Sequence, residues 1–199
     1  NWTEHWNSAI RLTSAYLTGY NVQQNWMAGG MLDLGYNFKV DGFDYIRLGP
    51  RFMYLHYNQD QFYYTFGQGG YFSPDQYTNT ALGINLLTHE GERLVASAQG
   101  FIGYQTIGNS TTPWYPDGAP AGAQQGRYTR NSSSGLTYDA EVKGGWLISP
   151  SCLAFGGGGY RQAYGYQDIV AGFGIRILFD DRKALFSSDL PDGFFQSVF

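Results

Sequence analysis

With 199 residues and a formal charge of −4, the chain is long enough to bury a core as one domain and carries no basic field of the kind that binds nucleic acid. Charged residues make up only 14%, against about a quarter in soluble globular proteins, whereas 28 Gly, 17 Tyr, 14 Phe and 5 Trp mark a chain rich in glycine and aromatics. The single cysteine, Cys152, excludes an intramolecular disulfide framework and a CxxC metal site, and no apolar run approaches the ~18 residues of a membrane helix. The chain starts at Asn1 without Met or a signal peptide, and is expected to be a processed or excised segment of a longer protein.

Taken in order, residues 8–20 put Ile10, Leu12, Tyr16 and Tyr20 on one face and Arg11, Thr13, Ala15 and Gly19 on the other. That is strand alternation, because successive side chains point to opposite faces of the pleat. Residues 21–25 are expected to turn. Residues 26–40 set Trp26, Ala28, Leu32, Leu34, Tyr36, Phe38 and Val40 against Met27, Gly29, Met31, Asp33, Gly35, Asn37 and Lys39, over a length well beyond the usual five or six residues. Asp41-Gly42 marks the next turn. Residues 44–57 place Ile46, Leu48, Phe52 and Tyr54 opposite Arg47, Gly49, Arg51 and Met53, with Pro50 a discordant residue for a central strand.

Residues 58–76 form a long aromatic connection. Residues 77–88 face Leu82, Ile84 and Leu86 one way and Ala81, Gly83 and Asn85 the other. After the polar turn at 89–92, residues 93–106 set Leu94, Ala96, Ala98, Ile102 and Tyr104 against Ser97, Gln99, Gly103 and Gln105. Residues 107–134 are a second long connection. Residues 135–148 oppose Leu136, Tyr138, Ala140, Val142, Trp146 and Ile148 to Thr137, Asp139, Glu141, Lys143 and Gly145. Residues 152–162 are the weakest strand, with four consecutive glycines and no clear face; a turn near Tyr164 and Gly165 follows. The alternation is strict in residues 169–179, where Ile169, Ala171, Phe173, Ile175, Ile177 and Phe179 oppose Val170, Gly172, Gly174, Arg176 and Leu178.

About eight strands therefore carry one wholly apolar face and one small or polar face. An apolar exterior, a polar interior and aromatics at strand ends (Tyr20, Trp26, Tyr36, Tyr57, Tyr104, Trp146) are what a transmembrane β-barrel requires. The three turns at 41–43, 89–92 and 149–151 fall at one end and are short, while both long connections fall at the other, the pattern of short periplasmic turns and longer external loops. A half-buried strand of a soluble sandwich also alternates, and remains the competing reading.

The first long connection contains Tyr63-Tyr64-Thr65-Phe66-Gly67-Gln68-Gly69-Gly70-Tyr71-Phe72-Ser73-Pro74-Asp75-Gln76-Tyr77, preceded by Tyr54-Leu55-His56-Tyr57. It resembles the motif of the C-terminal barrel domain in the family of bacterial cellulose synthase outer-membrane subunits, the cellulose export porins. Trp114-Tyr115-Pro116 and Asp189-Leu190-Pro191 are similar too. The resemblance implies a sixteen-stranded outer-membrane barrel, preceded by a periplasmic helical repeat scaffold, through which a glucan chain from an inner-membrane cellulose synthase leaves the cell. With only about eight strands, this chain is expected to be the C-terminal half of such a barrel: eight strands alone close on a lumen filled by side chains, whereas sixteen leave an aqueous channel. A small complete barrel with a structural or adhesin role is the alternative, as is a soluble carbohydrate-binding sandwich.

A polysaccharide channel needs no catalysis and no cofactor. It needs a hydrated lumen, for which Arg11, Asp33, Asn37, Lys39, Arg47, Arg51, Asn85, Gln99, Gln105, Asp139, Glu141, Lys143 and Arg176 are the lining candidates. Their mixed signs favour water without selecting an ion, and structural salt bridges are an equally good account of any one of them. Tyr63, Tyr64, Phe66, Tyr71, Phe72, Trp114 and Tyr115 are candidates for glucan contact or simply for packing the loops. Gly67, Gln68, Gly69 and Gly70 are candidates for a gate, or for a structural loop bonded to the barrel wall.

Enzyme chemistry is not expected. His5, His56 and His89 are scattered, which does not suit a metal site, and only His89 has adjacent carboxylates, Glu90 and Glu92. Asp139 and Glu141 share a face as glycosidase carboxylates could, but charge balance with Lys143 is the simpler reading. In the tail, residues 180–183 should be solvated on the periplasmic side. Phe186, Phe194, Phe195, Val198 and Phe199 are too apolar for a free segment and are expected to pack against a periplasmic face, the barrel interior or a partner.

Overall fold

Alternating runs joined by short turns pair most easily with their chain neighbours, and the fold follows that rule throughout. The computed structural model describes residues 5–163 and 165–192. The strands in chain order are β1 (Trp6–Gly19), β2 (Val22–Phe38), β3 (Phe43–Tyr57), β4 (Gln76–Thr88), β5 (Leu94–Asn109), β6 (Thr112–Pro113), β7 (Arg127–Tyr128), β8 (Asn131–Ser149), β9 (Cys152–Ala163) and β10 (Tyr166–Ile177). The short β6 and β7 pair with each other inside the second long connection. The other eight form one sheet in the order β1-β2-β3-β4-β5-β8-β9-β10, and every pair is antiparallel. Strands β1 and β10 flank the sheet, and no ladder joins them among the described residues. The expected all-β antiparallel architecture of about eight strands is the one observed.

The registers put the faces where alternation predicts them. Large apolar side chains crowd the exposed face: Ile10, Leu12, Tyr16, Phe52, Ile102, Leu136, Val142, Ile169 and Ile175 are all exposed, and Phe173 is 95% exposed. Burial within the sheet belongs to the opposite face. There Asp33, Gln105 and Glu141 are buried alongside Met27, Leu55, Ala81 and Val95. A water-soluble sheet buries its apolar face; this one presents it.

Several boundaries differ from the expectation. The first turn is only Tyr20-Asn21, with Asn21 at φ 55°, so residues 22–25 belong to β2 rather than to a turn. Strand β2 ends at Phe38, which leaves the lining candidate Lys39 outside the strand and exposed. Strands β5 and β8 run on to Asn109↔Asn131, where the sequence is polar and reads as loop. Pro50 is accommodated because it pairs with Leu82 on β4, while the β2–β3 ladder passes from Asp33↔Arg51 to Tyr36↔Leu48 around its missing N–H.

Strand β9, which has no face in the sequence, is laddered on both sides, with Lys143↔Gly157 and Gly157↔Gly172. Its glycines permit close approach. A Cβ on Gly156 would lie 2.9 Å from the Gly172 carbonyl oxygen.

The three short turns lie at one end of the sheet and the connections 58–75 and 110–130 at the other. The tail closes over the short-turn end. A 3₁₀ turn at Ser187–Asp189 lets Leu185 and Leu190 pack with Leu87, Val95, Leu147 and Leu153 on the inner face. Leu185 also exchanges backbone hydrogen bonds with the β4–β5 turn, to the Glu92 carbonyl at 2.8 Å and from the Gly91 N–H at 2.9 Å. Residues 180–183 are exposed as expected, although Arg182 pairs with Asp189, and Phe186 is 49% exposed rather than packed. Phe194, Phe195, Val198, Phe199 and Tyr164 lie outside the described residues.

Candidate functional site

Register assembles the inner wall from residues far apart in the chain. Asn37, Arg47, Asn85, Gln99 and Glu141 pair in succession across β2, β3, β4, β5 and β8, so five lining candidates form one continuous polar row. A second row passes through Asp33↔Arg51. Asp33 accepts from Arg51 Nε at 2.9 Å and Nη2 at 2.7 Å, and from Arg47 as well. The Arg51 guanidinium in turn lies 3.8 Å from the centre of the Phe101 ring. Gly35 makes this cluster possible, because a Cβ there would sit 2.8 Å from Arg47 Cγ.

The other lining candidates are placed as follows. Asp139 accepts from Arg161 Nε at 2.7 Å, and Gln99 Nε2 lies 3.5 Å from Glu141 Oε2. Gln105 is buried and accepts from the Tyr77 hydroxyl at 3.2 Å. Asn37 accepts from Asn7 Nδ2 at 3.1 Å. Arg176 on β10 lies 5.4 Å from the Phe155 ring centre and Arg11 projects from β1, so one arginine stands on each flanking strand. Lys143 pairs in register with Ser97, next to the polar row.

At the long-loop end, the connection 58–75 folds against the wall. Asn25 on β2 is its anchor: Nδ2 donates to the Gln59 carbonyl at 2.7 Å and to the Tyr71 hydroxyl at 2.9 Å, and Oδ1 accepts from Gln59 N–H at 3.0 Å. Tyr71 donates onward to Gln61 Oε1 at 2.9 Å, and Gln61 Nε2 reaches the Gln23 carbonyl at 2.6 Å. Gly67, at φ 86°, accepts from Gln23 N–H at 2.9 Å, and Gly70, at φ 65°, donates to the Gln61 carbonyl at 2.9 Å. Burial pushes the Tyr71 hydroxyl above its usual range, partly offset by the Asn25 hydrogen bond.

The second connection lies on the first. Gln68 Nε2 donates to the Pro113 carbonyl at 2.8 Å, Thr65 Oγ1 donates to the Trp114 carbonyl, and the Tyr63 and Tyr128 rings stack at 3.5 Å with 6° between their planes. A Cβ on Gly69 would collide with the Tyr71 ring. The aromatics divide accordingly. Tyr63, Tyr71, Trp114 and Tyr115 are half-buried within the loop pair, whereas Tyr64 is 89% exposed and Phe66 and Phe72 are exposed.

Sequence reasoning misses Asn25, Gln61, Ser73, Tyr128 and Arg161. Arg161 carries no signal because its strand has no readable face, and Asn25 falls in residues that read as a turn. The histidines stand apart: His56 Nδ1 lies 3.5 Å from Asp75 Oδ1, and His89 bonds Asp44 Oδ1 at 2.9 Å rather than its neighbours Glu90 or Glu92.

A family model described as the cellulose synthase operon protein C C-terminus matches residues 3–180. The chain belongs to this family. Within it, the chain is 30% identical over 140 residues to cellulose synthase 2 operon protein C of Komagataeibacter xylinus, covering 66% of the chain and 10% of that protein. It is 32% identical over 107 residues to cellulose synthase operon protein C of Salmonella typhimurium strain LT2, covering 53% and 9%. Against cellulose synthase operon protein C of Escherichia coli strain K12 the identity is 39% over 75 residues, covering 37% and 6%. The chain thus spans a tenth or less of the length of these relatives, and the glycine-rich loop motif at residues 63–77 lies inside the matched range.

Proposed function

We propose that this sheet is part of the wall of an outer-membrane β-barrel through which a β-glucan chain passes from the periplasm to the cell surface. The observation that carries the reading is the inversion of faces: a belt of exposed large apolar residues backed by a partly buried, ion-paired polar face. Lipid is the solvent that suits the first face, and a hydrated lumen suits the second. Membership in a cellulose synthase operon family supports a β-glucan as the cargo.

In this reading the short-turn end is periplasmic and the paired loops are external. Strands upstream in the parent protein complete the ring between β1 and β10, giving a lumen wide enough for a polysaccharide. Residues of the polar row exchange hydrogen bonds with sugar hydroxyls, and the exposed Tyr64, Phe66 and Phe72 offer flat faces at the exit. A periplasmic repeat scaffold and an inner-membrane synthase are the upstream partners, and the domain itself performs no bond chemistry.

Cysteine labelling in whole outer membranes tests the reading. In a Cys152→Ser background of the full-length parent, Gln99→Cys and Arg176→Cys should react with a membrane-impermeant maleimide and be slowed by cello-oligosaccharide. Ile102→Cys and Phe173→Cys should stay unlabelled. Equal labelling of both sets would put the apolar face in water and end the proposal.

A further inference from the structure

Asp60, in the first long connection, is a buried ionisable group that glucan passage leaves unused. It is 1% exposed. Its Oδ1 accepts the Phe62 N–H at 3.2 Å, and its Oδ2 is buried without a hydrogen-bond partner. An ionised carboxylate in that state forfeits its hydration with nothing in exchange. Titratable groups that act on it electrostatically include Tyr63 on its own loop and Asp75 at the loop's far end, with His56 of β3 paired to Asp75. Neither Tyr63 nor Asp75 supplies a positive charge. Among the described residues, no three His, Cys, Asp or Glu groups gather to hold a metal ion, and protonation is the neutralisation open to the carboxyl itself.

The position of Asp60 gives its charge leverage. It stands between Gln59 and Gln61, both of which are bonded to β2: Gln59 to Asn25, and Gln61 to the Gln23 carbonyl. Gln61 N–H also donates to Ser73 Oγ at 2.8 Å across the loop. A backbone movement that carried Asp60 toward water would break those anchors.

We propose that Asp60 is a proton-linked latch: its acid form keeps the connection 58–75 docked across the external end of the inner wall, and its ionisation releases that connection. The inference rests on the external placement of this loop in the channel reading. Burial pushes the Asp60 carboxyl up; the Phe62 N–H opposes this, and the Asp75 charge adds to it. The docked loop therefore binds more protons than the released one. Its extra stability is whole below the ordinary carboxyl value of about 4 and is lost as pH rises through the raised docked value.

Amide hydrogen exchange of the full-length parent in micelles, with EDTA and corrected for intrinsic rates from about pH 4 to about pH 8, reads the latch directly. Protection of Gln23, Gln61 and Gly70 should fall about tenfold or more as pH rises, since each 1.4 kcal/mol of lost docking energy is a factor of ten. Asp60→Asn should hold protection high across the range. Asp75→Asn, which keeps the latch but removes its repulsive neighbour, should move the fall to lower pH. Flat protection in the unaltered protein, an unchanged fall in Asp60→Asn, or recovery of protection at high pH on adding CaCl₂ would each overturn the latch, the last in favour of a cation. Protection is read whether or not the protein conducts, so failure here leaves the labelling result standing, and the converse holds.

Discussion

Asn25 and Tyr71 stand 46 residues apart in the chain, and Asn25 Nδ2 donates to the Tyr71 hydroxyl at 2.9 Å, tying the external loop to the wall. The same hydroxyl donates to Gln61 Oε1, so one oxygen links the wall and both arms of the loop. Tyr71→Phe should lose both bonds and weaken docking by about 1–3 kcal/mol. The readout is a matching loss of amide protection at Gln61 and Gly70. Tyr64→Phe, at an exposed position, should leave protection unchanged; equal effects from the two would detach the loop from Asn25.

In the tail, Leu185 is fully buried in a cluster with Leu87, Val95, Leu147, Leu153 and Leu190. Leu185→Ala should cost about 2–5 kcal/mol, read as the urea midpoint of the micellar protein. Phe186→Ala, at the half-exposed neighbour, should cost under about 1 kcal/mol.

Gly35 and Gly49 face each other between β2 and β3, for different reasons. A Cβ on Gly35 meets the Arg47 side chain, whereas one on Gly49 meets the backbone, 2.8 Å from the Gly35 Cα. Gly35→Ala should therefore be rescued by Arg47→Ala, and Gly49→Ala should not. Comparable destabilisation of Gly35→Ala in both backgrounds, measured by unfolding, would contradict this packing.

Asp33 neutralises part of the charge of two arginines. Asp33→Ala leaves Arg47 and Arg51 without their carboxylate, at a cost of about 2–3 kcal/mol. It should also shift the reversal potential of the full-length parent in a KCl gradient toward anion preference. An unchanged potential would place this cluster away from the conduction path.

The outward face is legible in every strand that alternates, because period two survives any choice of register. Ile102, Val142 and Phe173 can be assigned without knowing their neighbours. Pairings across the sheet are not legible. The row from Asn37 to Glu141 exists only once the register is set, and Arg161 cannot be matched to Asp139 while β9 reads as a bare glycine run. The loop motif is visible as a resemblance, yet its anchor, Asn25, sits in residues whose polar character looks like a turn. The ends of β5 and β8 escape sequence reading for the same reason: Asn109 and Asn131 lie beyond the apolar alternation, but Asn109 Nδ2 still donates to Asn131 Oδ1 at 2.9 Å.

Single-channel conductance of the full-length parent in a planar bilayer tests the central claim most directly. The account predicts a large conductance that cello-oligosaccharide blocks in a concentration-dependent way. A correctly inserted protein, confirmed by heat-modifiable migration, that neither conducts nor responds to sugar, even after Tyr71→Phe has weakened the docking of the external loop, would contradict it.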